Sequence, residues 1–277
     1  MLLTQDITVT ARDFRRISEA MYAHCGINLH DGKEELVQAR LAKLLRKSGE
    51  KVSEYLDRVL ENPGCAEFTE LVDSLSTNLT SFFRESNHFT YLAGTFLPAL
   101  FARKKARGEQ TIRGWSAACS SGEEPYTLAM VTLEAMESAG VTFDAKILAT
   151  DISTKVLEIA KGGLYDRQRT HPVPPALKAK YLISRKDKQS EVSPALRNVV
   201  RFGHMNLVKP WPFTGPLDFI FCRNVMIYFD KPTQQGLVNR FHEILAPGGM
   251  LFTGHSESLT GVSHPFRFIQ PTIYEKS

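Results

Sequence analysis

The chain has 277 residues, of which 43% are hydrophobic and 23% are charged, and its formal net charge is +4. These values are typical of a globular protein and leave room for one large domain and a small one. The sequence predicts no membrane span, because no stretch approaches the roughly 20 apolar residues that a span needs. The mild positive charge allows an acidic partner without indicating nucleic acid. We expect no secretory signal, because the first residues lack a basic leader followed by an apolar run.

The cysteines are scattered along the chain as Cys25, Cys65, Cys119 and Cys222, with no CxxC spacing. Closely spaced pairs are typical of structural zinc sites, and dense cysteines are typical of disulfide scaffolds. We therefore expect neither a metal site nor a disulfide framework. A reducing cytoplasm is the compartment that this cysteine usage favours.

Residues 10 to about 90 carry helical patterns only. Apolar residues recur at helical spacing in residues 13–22 and 33–47, and the sequence Asn-Pro-Gly at 62–64 ends a further helical stretch. The pattern predicts an N-terminal all-α domain over residues 1–75.

A linker over residues 76–95 follows the helical domain. Its polar side chains and an arginine beside Phe82 and Phe83 suit a lid over a pocket. The alternative is a plain connection in which the two aromatic residues staple the domains together. Both roles are compatible.

From residue 112 the pattern changes to short apolar runs that alternate with helical ones. This alternation is typical of βαβ units around a mainly parallel sheet, so the sequence predicts an α/β fold over residues 96–277. The predicted elements are strand 112–118, helix 125–139, strand 146–149, helix 154–161, strand 219–222, helix 232–245, strand 250–253 and paired edge strands within 266–274.

Within this region, about residues 164–203 interrupt the alternation. Two short strands are predicted at 181–184 and 198–202, joined by the charged loop 185–191. We interpret the segment as a small insertion that hangs off the sheet.

The loop 117–124 joins the first predicted strand to its helix. Ligands of open α/β sheets bind beyond the carboxyl ends of the strands, and small residues there let a ligand approach the backbone. The loop lacks the GxGxxG pattern, which disfavours a dinucleotide pyrophosphate. Glu123 and Glu124 repel phosphate and attract a cation such as an ammonium group. Alternatively, both glutamates only complement the helix dipole.

Polar residues also follow two later strands. Asp151 ends the second strand, where an acid can accept both ribose hydroxyls of a nucleoside; the alternative is a cap for the helix that begins near Thr154. Asn206 and Leu207 suit the edge and face of an adenine, although by themselves they are more typical of an ordinary turn.

The strand at 219–222 ends in an unusual way for a buried strand. Arg223 and Asn224 follow it directly and indicate a site, and Tyr228 lies shortly after them. Taken alone, Tyr228 is more typical of a core aromatic residue whose hydroxyl has a partner.

A local basic patch is predicted on the second helical stretch. Arg40, Lys43 and Lys47 lie at positions i, i+3 and i+7, opposite the apolar face of their helix. Such runs are usually solvated surface. Docking against an acidic helix or a nucleic acid is the alternative.

Taken together, these residues resemble the CheR family of bacterial chemoreceptor methyltransferases. The likeness covers nearly the whole chain, in the order of the family. The motifs that carry it are residues 77–85 (TNLTSFFRE), 115–126 (WSAACSSGEEPY), 149–152 (ATDI), 221–229 (FCRNVMIYF) and 254–257 (GHSE).

The resemblance implies an N-terminal helical domain, a linker, and a Rossmann-like class I methyltransferase domain with a small antiparallel β-subdomain. It also implies the reaction. S-adenosylmethionine (SAM) would donate its methyl group to glutamate side chains of chemoreceptors, giving glutamyl methyl esters and S-adenosylhomocysteine. By motif position, Arg84 would border the reaction centre, Tyr228 would stand near the transferable methyl group, and Glu124 is favoured over Glu123 as a cofactor contact. Our hypothesis is that Arg84 and Tyr228 align the reaction. The implied cofactor-binding residues are Asn78, Thr80, Arg84, Glu124, Asp151, Asn206, Leu207, Arg223 and Asn224.

The resemblance also implies a partner for the basic patch, because receptor methylation helices are rich in acidic side chains. Arg40, Lys43 and Lys47 would contact those helices, with no nucleic acid and no membrane insertion. Family members that also bind the C-terminal pentapeptide of a receptor carry a glycine-containing loop in the β-subdomain. The corresponding residues 185–191 are charged and lack glycine, so we expect no such tether.

Three other functions remain as alternatives at the level of the sequence. A SAM-dependent methyltransferase could act on RNA or another protein, although no aromatic stacking platform accompanies the basic patch. A non-catalytic receptor-binding module could keep the fold, but Arg84 and Tyr228 are both present. A nicotinamide dehydrogenase shares the acid after the second strand, but its glycine-rich loop is missing.

Overall fold

The computed structural model describes residues 8–30, 32–46 and 48–277. Its N-terminal helices are α1 Ala11–Cys25, α2 Glu34–Leu45, α3 Val52–Leu60 and α4 Ala66–Leu75. Thr10 begins α1 in a capping box with Asp13, which satisfies backbone N–H groups that the helix leaves open. The apolar faces of the helices pack into a core of their own. The predicted all-α domain is confirmed for the described residues.

The chain leaves α4 at Ser76 and runs without regular structure to Glu85. Three helical segments follow: α5 Ser86–Tyr91, a π-helical turn Leu92–Phe96 and α6 Leu97–Ala106. Phe82 and Phe89 are buried in the core of the sheet domain. These two aromatic rings therefore anchor the linker to the sheet domain.

The rest of the chain alternates strands and helices. The strands are β1 Thr111–Ala117, β2 Asp144–Asp151, β3 Leu164–Asp166, β4 Leu182–Ser184, β5 Gln189–Val192, β6 Val200–His204, β7 Leu217–Cys222, β8 Leu245–Thr253, β9 Phe266–Gln270 and β10 Ile273–Lys276. The helices are α7 Glu123–Ser138, α8 Thr154–Gly162, α9 Pro175–Tyr181, α10 Pro194–Val199 and α11 Lys231–Ile244.

Seven strands form the main sheet, in the order β6-β2-β1-β7-β8-β10-β9. The first five strands of that order are parallel, and β10 pairs antiparallel with both β8 and β9. The predicted mainly parallel sheet with paired edge strands is confirmed. From β1 the chain adds β2 and then β6 on one side of the sheet. It then returns to form β7 on the other side of β1. The carboxyl ends of β1 and β7 therefore border a topological switch point.

Side chains of β7 alternate between the two faces of the sheet, as a pleated strand requires. Phe219 and Phe221 join the core that α7 covers. Ile220 and Cys222 join the opposite core, which α11 covers. Both faces of the sheet are thus buried, which explains why the sequence of β7 is a continuous apolar run.

A second, three-stranded sheet has the order β3-β5-β4, with both pairs antiparallel. One sequence prediction is wrong here, because the stretch 198–202 was expected to pair within this insertion. Residues 198–199 end α10, and the strand that follows, β6, pairs in parallel with β2 in the main sheet. The hairpin partner of β4 is β5, whose Ser190 and Val192 are buried between polar neighbours. Residues 189–191 of this short alternating strand lay inside the predicted charged loop 185–191.

Across the described ranges, none of the helices combines the length and the apolar character that crossing a bilayer would need.

Candidate active site

A cavity of about 490 Å³ lies at the carboxyl ends of β1, β2 and β7. Its wall combines strand ends and following loops of the sheet domain, the linker at 76–84, and residues of the N-terminal domain. The volume lies within the range of about 300–1,000 Å³ that is usual for small-molecule sites. All nine predicted cofactor residues and Tyr228 line this one cavity.

The loop after β1 has a strained backbone next to the cavity. Ala118 and Ser120 have left-handed φ angles of 62° and 49°. Of the other non-glycine residues with positive φ, Glu85 (55°) ends the irregular part of the linker and Asn224 (60°) belongs to the loop after β7. Left-handed conformations of non-glycine residues cost free energy and cluster at functional sites. The strain therefore marks the same place as the sequence motifs do.

Glu124 lies in the first turn of α7 and faces the cavity. Its Oε1 accepts a hydrogen bond from the hydroxyl of Ser116 at 2.7 Å, and its Oε2 is 3.4 Å from a guanidinium nitrogen of Arg223. Burial raises the pKa of Glu124, and Arg223 and Ser116 oppose this shift. Glu123 is fully buried and instead forms an ion pair with Arg169. The two neighbouring acids thus have different surroundings, and only Glu124 belongs to the cavity wall.

Asp151 joins the ends of β1 and β2. Its carboxylate accepts hydrogen bonds from the backbone N–H of Ser120 at 2.8 Å and of Ser153 at 2.9 Å. The hydroxyl of Ser153, not Asp151, caps α8 by accepting from the N–H of Val156. The capping alternative is therefore wrong. Burial raises the pKa of Asp151, against the effect of these N–H donors.

Arg223 is the centre of a buried ion-pair network. Its side chain is 1% exposed and lies 3.1 Å from Glu85 Oε2, with Glu124 on its other side. It also donates to the backbone oxygen of Arg84 and packs over the ring of Phe89, with 5.4 Å between Cζ and the ring centroid. The guanidinium is therefore occupied by groups of the protein itself. Burial acts to raise the pKa of Glu85, but Arg223 and Asn224 bring it below its usual value.

Glu257 holds the turn that carries Arg223, Asn224 and Tyr228. Its buried carboxylate accepts from the backbone N–H of Asn224 at 2.6 Å, of Gly254 at 2.7 Å and of Ile227 at 3.1 Å. Sequence reasoning quoted the GHSE motif but gave Glu257 no role. An acid four residues after the end of the apolar strand β8 was the available signal, because buried carboxylates need partners.

The linker residues Asn78, Thr80 and Arg84 form a further part of the cavity wall, in addition to the strand ends. The hydroxyl of Ser120 donates to the backbone oxygen of Asn78 at 2.9 Å. Arg84 donates to the backbone oxygen of Leu79 at 2.7 Å. The half-buried Tyr228 lies in the 3-10 turn Met226–Tyr228, and its backbone oxygen accepts from the N–H of Asn28 at 2.8 Å. These contacts attach Arg84 and Tyr228, the two residues predicted to align the reaction, to neighbouring segments of the chain.

Asn206 has a partner that the sequence did not suggest. Its side-chain amide donates to the backbone oxygen of His24 at 2.6 Å, near the end of α1, and its Oδ1 accepts from the N–H of Val208. The side chain therefore ties the N-terminal domain to the sheet domain, as a turn residue would. Leu207 is buried beside it and also lines the cavity. Contact of either residue with an adenine stays a prediction.

The N-terminal domain supplies a wall of the cavity that sequence reasoning missed. Ile27, Leu29 and His30 line it, just after α1. Gly26 makes this approach possible: its φ is +73°, and a Cβ atom would lie 2.9 Å from the side chain of Val208. No pattern in the sequence marks residues 27–30, because their importance comes from the packing of two domains.

The predicted basic patch is only partly a free surface. Arg40 is half-buried, lines the cavity, and donates to the backbone oxygens of Ser74 at 2.7 Å and Ser76 at 2.6 Å. The expectation that its guanidinium is exposed for a partner is therefore wrong. Lys43 is exposed, and Lys47 lies outside the described residues.

Glu85, His88 and His255 bring potential metal ligands within 4.8 Å of one another. Arg223 lies 3.1 Å from the same Glu85 oxygen that faces the histidines. A bound cation would therefore be repelled by the guanidinium. The sequence predicted no metal site, and this geometry gives no reason to propose one.

Comparisons with known proteins agree with the geometry. The family description "CheR methyltransferase, all-alpha domain" matches residues 12–76, and "CheR methyltransferase, SAM binding domain" matches residues 78–274. A chemotaxis protein methyltransferase of Borreliella burgdorferi is 42% identical over 274 residues, covering 98% of this chain and 96% of the relative. One of Escherichia coli is 38% identical over 280 residues, covering 99% and 94%. The chain therefore belongs to the CheR methyltransferase family and consists of its all-α domain followed by its SAM-binding domain.

Proposed function

We propose that this protein transfers the methyl group of SAM to glutamate side chains of chemoreceptors in the cytoplasm, and so forms the glutamyl methyl esters of chemotactic adaptation. The observation that carries the proposal is the single cavity at the switch point, which brings Glu124, Asp151, Arg84 and Tyr228 together. The names of the relatives support a role in chemotaxis. The choice of glutamate rests on the sequence resemblance.

The chemistry of the cavity wall fits SAM. The carboxylates of Glu124 and Asp151 suit an ammonium group and ribose hydroxyls. Ile152, Met205 and Leu207 add apolar surface beside them, which suits the face of an adenine. We assign SAM binding to these groups together with Asn78, Thr80 and Asn224.

The chain needs no general base for this reaction. A glutamate with a pKa of about 4.3 is already ionised at neutral pH. SAM, when bound, supplies a methyl group on a sulfonium centre, which is a good leaving group. The protein's own task is to align the carboxylate and to exclude water. We assign the alignment to Arg84 and Tyr228.

Arg84 is suited to that task by its position. It is half-buried, and its Nη1 donates to the backbone oxygen of Leu79, which fixes part of the guanidinium. Its charge attracts an incoming carboxylate, whereas the guanidinium of Arg223 is occupied by Glu85 and Glu124. Of the two arginines, Arg84 is therefore the one available to a substrate.

Receptor docking is assigned to the exposed side of α2. Reversing the charges of Lys43 and Arg46, which are exposed, should weaken methylation of receptors and leave SAM affinity intact. Arg40 is unsuitable for this test because it holds the linker. We expect no tether through a receptor pentapeptide, because the loop between β4 and β5 is charged and Arg185 forms an ion pair with Glu191. Calorimetry that detects micromolar binding of such a peptide would contradict this expectation.

The proposal is tested by incubating the protein with tritiated SAM and receptor-containing membranes. We expect label on the receptor that mild base releases as methanol, because esters are base-labile. Label on RNA, or base-stable label on protein, would indicate a different methyltransferase. Binding of SAM with no transfer to any of these would indicate a non-catalytic module.

A further inference from the structure

The mouth of the cavity carries exposed apolar side chains. Leu79 is 79% exposed, Ile227 is 45% exposed and Leu36 is 37% exposed, and all three line the cavity. In the described ranges, eight large hydrophobic residues are exposed, and these three are the ones at the cavity. Single exposed leucines are common on protein surfaces, but three around one opening are a local concentration. We call Leu36, Leu79 and Ile227 the apolar rim.

Leu79 is held in place although its segment has no regular structure. Backbone oxygens of the residues before it have side-chain donors: Arg40 binds those of Ser74 and Ser76, and Ser120 binds that of Asn78. The oxygen of Leu79 itself accepts from Arg84. A segment fixed in this way presents its leucine to solvent at little further entropic cost when a partner binds.

Ile227 is fixed on the other segment of the mouth. Its N–H donates to Glu257 Oε1 at 3.1 Å, within the turn that carries Tyr228. Leu79 and Ile227 are thus the immediate chain neighbours of residues that we assign to SAM binding and to the reaction.

Positive charge accompanies the third member of the rim. Lys33, the N-cap residue of α2, lies three residues before Leu36 and seven before Arg40, so the three share one face, and all of them line the cavity. The guanidinium of Arg40 is bound to backbone oxygens near the linker, so the exposed Lys33 supplies the accessible charge at the mouth. The exposed Lys43 continues this face by a further turn. The surface that surrounds the mouth is therefore apolar next to the opening and basic along this face of α2.

We propose that the apolar rim binds apolar side chains that flank the target glutamate on an acidic, helical segment of the substrate protein. This inference rests on the proposed function and adds to it a requirement on the substrate sequence. The basic face of α2 complements the acidic segment, and the rim covers the residues beside the glutamate. Covering them removes water from the mouth while the carboxylate is inside, which is the condition that the reaction needs.

The first test replaces rim residues in the full-length protein. Leu79→Ser and Ile227→Ser should each raise the KM for receptor-containing membranes by about tenfold, because each removes a leucine-sized apolar contact. The dissociation constant for SAM should stay within about twofold of the wild-type value, since both side chains are exposed at the mouth whereas the carboxylates of Glu124 and Asp151 are not. Leu79→Met, which keeps the apolar surface, should behave as the wild type does.

Phe268→Ser is the matched control. Phe268 is 60% exposed on β9, an edge strand of the main sheet, and it does not line the cavity. Losing this apolar side chain should leave the KM for receptors unchanged. An equal rise of KM in Phe268→Ser would show that general surface polarity, and not the rim, is responsible, and would overturn the inference.

The second test varies the substrate. Two helical peptides with the same target glutamate, flanked either by leucine or by serine, are compared with tritiated SAM. The wild-type protein should have a lower KM for the leucine-flanked peptide, and Leu79→Ser should reduce that difference.

Three results are decisive. If the wild type methylates receptors but the rim variants keep its KM, the inference is wrong and the proposed function stands. If the wild type transfers no base-labile methyl group to receptors, the proposed function fails and this inference fails with it. Loss of SAM affinity in Leu79→Ser would also overturn the inference, because the leucine would then belong to the cofactor site.

Discussion

The two walls of the cavity are built in different ways. The wall at the strand ends consists of buried charged groups. Backbone N–H groups bind the carboxylate of Asp151, and Arg223 forms an ion pair with Glu85. The wall of the linker has no regular structure, and side chains such as Arg40 and Arg84 hold its backbone oxygens. The first wall is part of the sheet, whereas the second depends on contacts between domains.

This difference suggests different consequences of mutation. A change in the strand wall leaves buried charges without partners, so it should lower the stability of the whole domain. A change in the linker wall frees a segment that is already near solvent, so it should alter binding before it alters folding. The predictions below test this contrast.

The largest effect is expected from Arg223→Ala. It leaves the carboxylates of Glu85 and Glu124 without their cation, and losing one partner of a buried ion pair costs about 3–5 kcal/mol. The control is Arg267→Ala, which removes an exposed pair with Glu275 and should cost at most about 1 kcal/mol. Urea unfolding of both variants measures the two losses. Similar small losses would mean that the strand wall is no more rigid than the surface.

A second large effect concerns one residue from each wall, Arg84 of the linker and Tyr228 of the turn after β7. Arg84→Ala and Tyr228→Phe should each lower kcat at saturating SAM by about 10²-fold, because misalignment of the reacting groups has effects of that size. Single-turnover methylation of receptors measures this rate. If neither substitution changed kcat, the alignment role that we assign to them would be wrong.

The linker wall itself is tested by Arg40→Ala. Its guanidinium binds two backbone oxygens of the α4–linker junction, and losing charged hydrogen bonds worth about 1.5 kcal/mol should weaken SAM binding by about tenfold. The exposed Lys43 of the same helix provides the control, since Lys43→Ala should leave SAM affinity unchanged. Calorimetric titration with SAM compares the variants. Unchanged affinity in Arg40→Ala would show that the linker wall is stable without this arginine.

The smallest expected effect is a pH dependence of the free energy of unfolding, caused by the buried His88. Burial lowers the pKa of His88 to about 3, whereas in the unfolded chain it is about 6.5. Between these values the unfolded chain binds a proton that the folded chain does not, so stability falls as the pH falls. From about pH 7 to pH 6 this group should remove roughly 0.7 kcal/mol.

Urea midpoints of the wild type and of His88→Gln, determined at each pH, measure this contribution of His88 to stability. The variant should lose less stability than the wild type over this pH interval. Between about pH 8 and pH 9, where the group is neutral in both states, the two proteins should show parallel curves. Parallel curves at the lower pH as well would contradict the assigned pKa.

The sequence alone predicted the helical domain, the mainly parallel sheet and the family. It could do so because amphipathic helices and buried strands have local periods, and because motifs such as 115–126 and 221–229 are contiguous. It also indicated Asp151, Arg223 and Asn224, since polar residues at strand ends stand out against apolar runs. The hairpin strand β5 was missed, because four residues of alternating burial give too weak a local pattern.

What the sequence determined, then, is which residues lie at the carboxyl edge of the sheet, since that depends on strands that each encode their own ends. Only the tertiary structure decided what those residues contact. Asn206 binds the end of α1, Arg40 binds the linker, and Arg223 lies between two carboxylates. The physical reason is that these partners are distant in the sequence, so their contacts depend on how the domains pack and leave no periodic pattern along the chain.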